Sequence, residues 1–548
     1  MRPHTTRSKT RSSLTLRLLL TALMSAVGAC SGSAQEEDFD TALQEKIQNV
    51  VVIYAENRSF DNVYGTFPGA NGIPGVNASA KGTLSVQTDR DASNATLSKL
   101  PLTWGGLTAA GQSPSVTQAQ TDNLANSPFL IDTQYNLGLG VITRDLYHRF
   151  FENQMQINGG KNDKFAAWAD AGGLTMGYYD GSKMALWNVA KNNVLADNFF
   201  QAAFGGSFLN HQYLVCACAP DYAIADPAPA TPTVSIVDSD GGTGFTHNLS
   251  IDTAHSAASS LDGPPIYKLS GNIAPKNYFG DGTFRAINTM QPPYQPSFNA
   301  PTSTDATHLF ADSMKATTLP PQTQATIADK LDERGVTWAW YAGAWDDTLA
   351  ISTGNRVYPT STPGAAPNFQ FHHQPFNYYA KFDPQTGAAA RTAHLKDGSK
   401  LLADASAGTL PQVVFYKPEG DLNQHAGYAS VSAGDQHLAD VVSALQASKQ
   451  YAGMVIVITY DENGGWWDHV APPKGDLLGP GSRIPAIIIS PFAKKGTIDH
   501  TQYDTASIQR FLNRRFGLSP LAGITARDNA LKANGAAAMG DLTAALQF

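Results

Sequence analysis

The apolar residues of this chain fall in short unbroken runs. Six stand out: "NVVVIYA" (49–55), "NVLADNF" (193–199), "VTWAWYA" (336–342), "QVVFYK" (412–417), "MVIVITY" (454–460) and "IPAIIIS" (484–490). Runs of this length, rich in β-branched and aromatic residues, suit strands buried on both faces. Between several of them the pattern changes. "GDQHLADVVSALQAS" (434–448) carries apolar residues at helical spacing, and "SMKATTLPPQTQATIADKLDERG" (313–335) leads into the third run with Gly335 as a stop. Strand and helix alternating in this way predict an α/β fold with a mostly parallel, helix-covered central sheet. Residues 66–130 and 221–310, rich in Ser, Thr, Asn, Gly and Pro, interrupt the rhythm. They read as insertions in one catalytic domain spanning 46–548. The Ala-rich tail, 527–548, is expected to form a terminal helix.

The first residues follow a different logic. Residues 1–29 carry five basic side chains and no acid, and an apolar stretch runs from Leu18 to Ala29. It is too short to span a bilayer and has the layout of a secretory signal. Val27-Gly28-Ala29-Cys30 resembles a lipoprotein cleavage box with Cys30 as the anchor, and 30–45 reads as a polar tether. The expected product is exported: periplasmic, envelope-bound or secreted. The net charge is −8, and loss of the leader makes it more negative. Such a chain is a poor partner for nucleic acid. Cys216 and Cys218, split by one alanine, are expected as two small buried residues, because a bridge that short would be strained.

In open α/β sheets, chemistry gathers beyond the carboxyl ends of the strands. The first run is followed by Glu56 and Asn57, and "MVIVITY" is followed by Asp461 and Glu462. Hard oxygen donors after two separate strands predict one site for a divalent cation such as Mg²⁺, Ca²⁺ or Mn²⁺. After "NVLADNF" comes Gly205-Gly206-Ser207, a turn that sets a hydroxyl at the start of a helix, where backbone N–H groups favour an anion. Six histidines lie in polar or glycine-bearing contexts: His148, His211, His372, His373, His425 and His469. As cations they would bind phosphate and protonate a leaving alkoxide.

"AENRSFDNVYGTFPGANG", "HRFFENQMQINGGKNDKF", "DNFFQAAFGGSFLNH", "ITYDENGGWWDHV" and "GSRIPAIIISPFAKKGTIDHTQYDTASIQRFL" occur together and in order. Together they resemble the bacterial phosphoesterase family of exported acid phosphatases and phosphocholine-preferring phospholipases C. The resemblance runs from about 48 to 520. It implies an alkaline-phosphatase-like fold with helices on both faces of the sheet. It implies metal ligands at Glu56, Asn57, Asp461 and Glu462, and a nucleophile, also touching the metal, at Ser207. It implies phosphate- and leaving-group-binding histidines at His148, His372, His373 and His425, the acid being His148 or His425. Asn210, His211, Asp468 and His469 are the remaining substrate-side candidates. "SFLNH" departs from the Pro-Asn-Arg of the phospholipase branch. The expected activity is therefore an acid phosphatase working through a phosphoserine, with a phospholipase C as the alternative. In that alternative Trp168, Tyr378, Tyr379, Trp466 and Trp467 would cage a choline.

Overall fold

The computed structural model describes residues 37–548, except 85, 92, 223–251, 253, 268–277, 280, 282, 284, 288, 296–298, 316–317 and 351–367. The leader, Cys30 and much of the 221–310 insertion lie outside the described residues. Among the described residues nine strands form the central sheet: β1 (Asn49–Ala55), β2 (Val194–Phe200), β3 (Trp338–Ala342), β4 (Leu395–Asp397), β5 (Val413–Lys417), β6 (Met454–Tyr460), β7 (Arg483–Ile489), β8 (Thr497–Asp499) and β9 (Tyr503–Asp504). Their order is β8-β2-β7-β6-β1-β5-β3-β4, with β9 also pairing β2. All pairings are parallel except those of β7, which runs antiparallel to β2 and β6. Every residue of β1, β3, β5, β6 and β7 is buried. A sheet buried on both faces needs continuous apolar strands, which is what the six runs are.

The helices that matter here are α1 (Phe60–Tyr64), α2 (Phe150–Ile157), α3 (Ala185–Lys191), α4 (Ser207–Cys216), α5 (Ile327–Glu333), α6 (Lys400–Ala407), α7 (Val431–Ala447), α8 (Ala506–Phe516) and α9 (Ala522–Ala533). One group packs α7 against α3 and α6, and another packs α4 against α5 and α8. Among the described residues no helix is long and apolar enough to cross a membrane.

Four expectations need correction. The helix expected over 313–335 is confined to Ile327–Glu333. Pro320 and Pro321 cannot sit in a helix interior, and Thr326 starts the helix through a capping box with Asp329. The terminal helix begins earlier, at Ala522, and stops at Ala533. The tether is helical over 37–46 and sinks Leu43 fully into the core. Cys216 and Cys218 form a disulfide. The left-handed turn at Ala217 (φ 50°) ends α4 and brings their Cα atoms to 5.1 Å, inside the range a bridge needs.

Candidate active site

Strand register assembles the site. Ala55 pairs with Tyr460, so Glu56 and Asp461 are the first residues past two adjacent strands. The Asp461 N–H closes the ladder on Ala55 O at 3.1 Å. Glu56, Asn57, Asp461 and Glu462 are all buried at this edge.

Ser207 reaches it through the turn after β2. Gly206 is the N-cap of α4 and Ser207 its first residue. Gly205 has φ +67°, and a Cβ there would stand 2.2 Å from Phe150 N; one on Gly206 would stand 2.3 Å from Thr289 Cα. Only glycine fits two backbones this close. Asn210 locks the same turn: its amide nitrogen donates to the carbonyls of Ala203, Gly205 and Gly206 (3.2, 2.8 and 3.2 Å), and its oxygen accepts from Ala203 N at 2.9 Å. The side chain expected to bind substrate is thus spent on holding the turn that carries Ser207, one helical turn back along its own helix.

Ser207 Oγ donates to Glu462 Oε1 at 3.1 Å. His148 Nε2 lies 3.5 Å from the same oxygen. The His148 and His425 rings meet edge to face, 5.5 Å between centroids. Each has its Nδ1 against a main-chain carbonyl, that of Leu146 for His148 and of Ala426 for His425. A carbonyl only accepts, so both nitrogens carry hydrogen and both Nε2 atoms turn into the site. The Asn57 amide sits between Asp461 Oδ1 (2.7 Å) and His425 Nε2 (2.8 Å). With a bare His425 Nε2, the amide nitrogen belongs on His425, and the Asn57 oxygen then meets the Asp461 oxygen at 2.7 Å. Two oxygens at that separation repel unless a cation lies beside both.

Glu56 stands in a different environment. Its Oε1 meets Lys417 Nζ at 2.7 Å and His373 Nε2 at 2.9 Å, with His372 Nε2 3.5 Å away. Its Oε2 accepts from Asn423 Nδ2 at 2.9 Å and Tyr428 OH at 2.8 Å. Burial works to raise the Glu56 carboxyl, but Lys417 and then His373 outweigh it and hold the group well below the usual carboxylate range. Asp461 and Glu462 go the other way. Burial, reinforced by Glu56 for Asp461 and by Asp461 for Glu462, pushes both well above their ordinary values. A buried pair of carboxylates without a counter-charge is the signature of a cation site. The donor set Glu56, Asn57, Ser207, Asp461 and Glu462 is rich in hard oxygen and fits a divalent ion. Burial also pushes His148, His211, His372 and His425 down, and His373 to about 3. Burial thus works against the cationic form expected of these five histidines, since desolvation penalises charge.

The remaining candidates divide. His211, four residues after Ser207 on the same helix face, donates Nδ1–H to Ser207 O at 2.8 Å. Asp468 and His469 belong to another cluster. Arg483 bonds Asp468 Oδ1 and Asp61 Oδ1, each at 3.0 Å, and His469 Nδ1 meets Asp61 Oδ2 at 2.7 Å. These two candidates bind the protein to itself. The aromatic residues weighed as a choline cage are core: Tyr378, Tyr379, Trp466 and Trp467 are at most 3% exposed. Trp168 packs against the buried cluster that includes Phe150 and Tyr267, and its carbonyl accepts from Tyr267 OH. Lys417, Asn423 and Tyr428 went unnoticed in the sequence. Lys417 ends a predicted strand at the same edge, which was the available signal.

A serine at a helix start, set against paired carboxylates and imidazoles at a sheet's carboxyl edge, is the equipment of a hydrolase acting on phosphate esters. The chain matches the model of the Phosphoesterase family over residues 47–519, and it belongs to that family. A non-hemolytic phospholipase C of Pseudomonas aeruginosa is 27% identical over 39% of this chain and 34% of its own length. Non-specific phospholipase C1 of Arabidopsis thaliana is 26% identical over 44% of this chain and 45% of its own. Phospholipase C A of Mycobacterium tuberculosis is 23% identical over 92% of this chain and 77% of its own. The chain thus spans between a third and a half of the length of the first two. Similar solved structures include Ps i-CgsB (13% identity, 65% of this chain and 72% of that one, TM-score 0.28). Another is an alkaline phosphatase superfamily protein from Vibrio parahaemolyticus (12%, 63% of each chain, TM-score 0.26).

Proposed function

We propose that the protein is an exported, metal-dependent phosphomonoesterase of the acid phosphatase kind, working through a phosphoserine at Ser207. The observation that carries this reading is the Ser207 Oγ–Glu462 Oε1 bond of 3.1 Å, made at a helix start and faced by two Nε2-presenting histidines. A divalent ion held by Glu56, Asn57, Ser207, Asp461 and Glu462, of the Mg²⁺, Ca²⁺ or Mn²⁺ type, would acidify the serine hydroxyl and draw charge from the phosphoryl oxygens. Ser207 attacks phosphorus and gives its proton along its bond to Glu462, with His148 next in line. In-line displacement puts the leaving oxygen opposite Ser207. His148 is on the nucleophile's side through Glu462, which leaves His425, across from it, as the acid: its bare Nε2 takes a proton from solvent as the phosphate dianion binds and gives that proton to the leaving alcohol. Water then cleaves the phosphoserine, with net retention at phosphorus.

The burial of four of the five candidate cage aromatics in the core favours a phosphate monoester over a phosphocholine ester. The names of the curated relatives favour the second reading, a phospholipase C. The leader-like residues 1–29 are the support for export, and Cys30 for a lipid anchor; N-terminal analysis of the secreted or envelope-bound protein tests both. The substrate question is decided by hydrolysis of p-nitrophenyl phosphate against p-nitrophenylphosphocholine, with and without chelator, on the wild type and S207A. Preference for the monoester, sensitivity to chelator and inactivity of S207A are expected. Preference for the phosphocholine ester would turn the assignment to a phospholipase C.

A further inference from the structure

Beside the oxygen-rich set lies a second group of donors. Glu56, His211 and His372 each offer a ligand atom within 4.8 Å of the others, and all three are fully buried. His211 gives its Nδ1–H to Ser207 O, so its Nε2 is a bare lone pair, and that atom has no hydrogen-bond partner. Both ring nitrogens of His372 also lack one. Unpartnered buried imidazole nitrogens beside a carboxylate make a site for a second, softer metal ion. The place is contested by the protein's own charge. Lys417, fully buried at the end of β5, sets Nζ 2.7 Å from Glu56 Oε1. It also lies 5.5 Å from the ring of Tyr54, which in turn packs 4.9 Å from His211.

We propose that Lys417 is the second cation of the centre: a fixed ammonium that neutralises Glu56 and keeps the Glu56–His211–His372 donors from taking a second metal ion. The inference rests on the reading of the oxygen set as a one-metal phosphoesterase site. Charge supports it. Three buried carboxylates, Glu56, Asp461 and Glu462, face one lysine and one divalent ion, and the sum is zero. A second divalent ion would leave the buried centre two charges in excess, which a water-poor site resists. Lys417 is in this sense a positioning residue. It acts through Glu56 and sets how many ions the site accepts.

Metal content tests this directly. Wild type and K417M are stripped with chelator, reloaded with excess Zn²⁺ or Mn²⁺, desalted and analysed for metal per chain. The wild type should hold about one ion, K417M about two, and K417M/H372A about one again. A lysine that merely props the fold would lower metal content when lost, so the sign separates the two roles. A wild type holding two ions, or a folded K417M holding one, overturns the proposal. Should K417M not fold, H372A in the wild-type background decides. It must keep its single ion with affinity unchanged within about threefold, and loss of that ion overturns the proposal. A wild type that binds no metal would defeat the functional reading itself, and so is distinguishable.

Discussion

Two acid-bearing pairs leave the same short segment, "DENGGWWDHV", and meet opposite fates. Asp461 and Glu462 enter a buried space without a cation of their own and are pushed up well beyond ordinary carboxylates. Asp468 and His469, seven residues on, enter a closed network. There Arg483 spends its guanidinium on Asp61, Asp468 and the carbonyls of Asn71 and Asp197. Burial still pushes Asp468 up to about 6 against the pull of Arg483, yet its oxygens are taken. An aspartate opens both pairs. What separates a site from a brace is whether the protein supplies the counter-charge or leaves it to be brought in.

The comparison can be broken at several points. The largest effect belongs to Ser207→Ala, which should cut turnover about 10⁴-fold or more while circular dichroism and phosphate binding stay close to wild type. Retained turnover above a few per cent of wild type would end the covalent mechanism. Next, Arg483→Met leaves Asp468 buried without its guanidinium and Asp61 with His469 alone. It should cost about 3–5 kcal/mol in a denaturant titration, and a loss under about 1 kcal/mol would mean the network is no brace. On the other side, Asp461→Asn should do the reverse to the metal-free protein. It removes an uncompensated charge and raises unfolding stability by on the order of 1 kcal/mol, while abolishing metal binding in calorimetry. Opposite signs for these two substitutions are the sharpest check of the contrast. His425→Ala should lose about tenfold more kcat on an alkyl phosphate than on p-nitrophenyl phosphate, because the better leaving group needs no acid. Equal losses would return the acid role to His148.

The smallest effect lies away from the site. Asp435 on α7 accepts from the Ala185 and Leu186 N–H groups at the start of α3, and burial pushes its carboxyl up to about 6. A folded-state value above the unfolded one, near 4, means that the stabilising share is complete below about pH 4 and is lost as pH rises through about 6. Asp435→Asn should flatten that part of the stability profile by on the order of 1 kcal/mol. An unchanged slope between pH 4 and 7 would rule Asp435 out as its source.

The strands were readable because continuous apolar runs have few other uses in a chain of this class, and the observed ends fall within two residues of the expected ones. Strand direction was not readable. The run 484–490 looks like the others, yet β7 runs antiparallel, since nothing in an apolar run records which way its neighbours point. The candidate oxygen donors were legible as polar residues placed just past two strand ends. Lys417 was hidden because a terminal lysine on a strand ordinarily snorkels to water, and only the fold shows it pointing at Glu56. Asn210 failed for a similar reason: its position beside Ser207 was plain, but the three carbonyls that consume its amide come from the turn's shape. The bridge between Cys216 and Cys218 depended on a left-handed alanine that the sequence did not announce.

The pair Gly205-Gly206 has a practical consequence. The floor under Ser207 is pressed between the backbones at Phe150 and Thr289, distant points of the chain. Engineering for new substrates has no latitude there. A library that varies either glycine will mostly sample misplaced serines, and the productive diversity lies in the walls, around His425 and the half-exposed Asp145 that faces it.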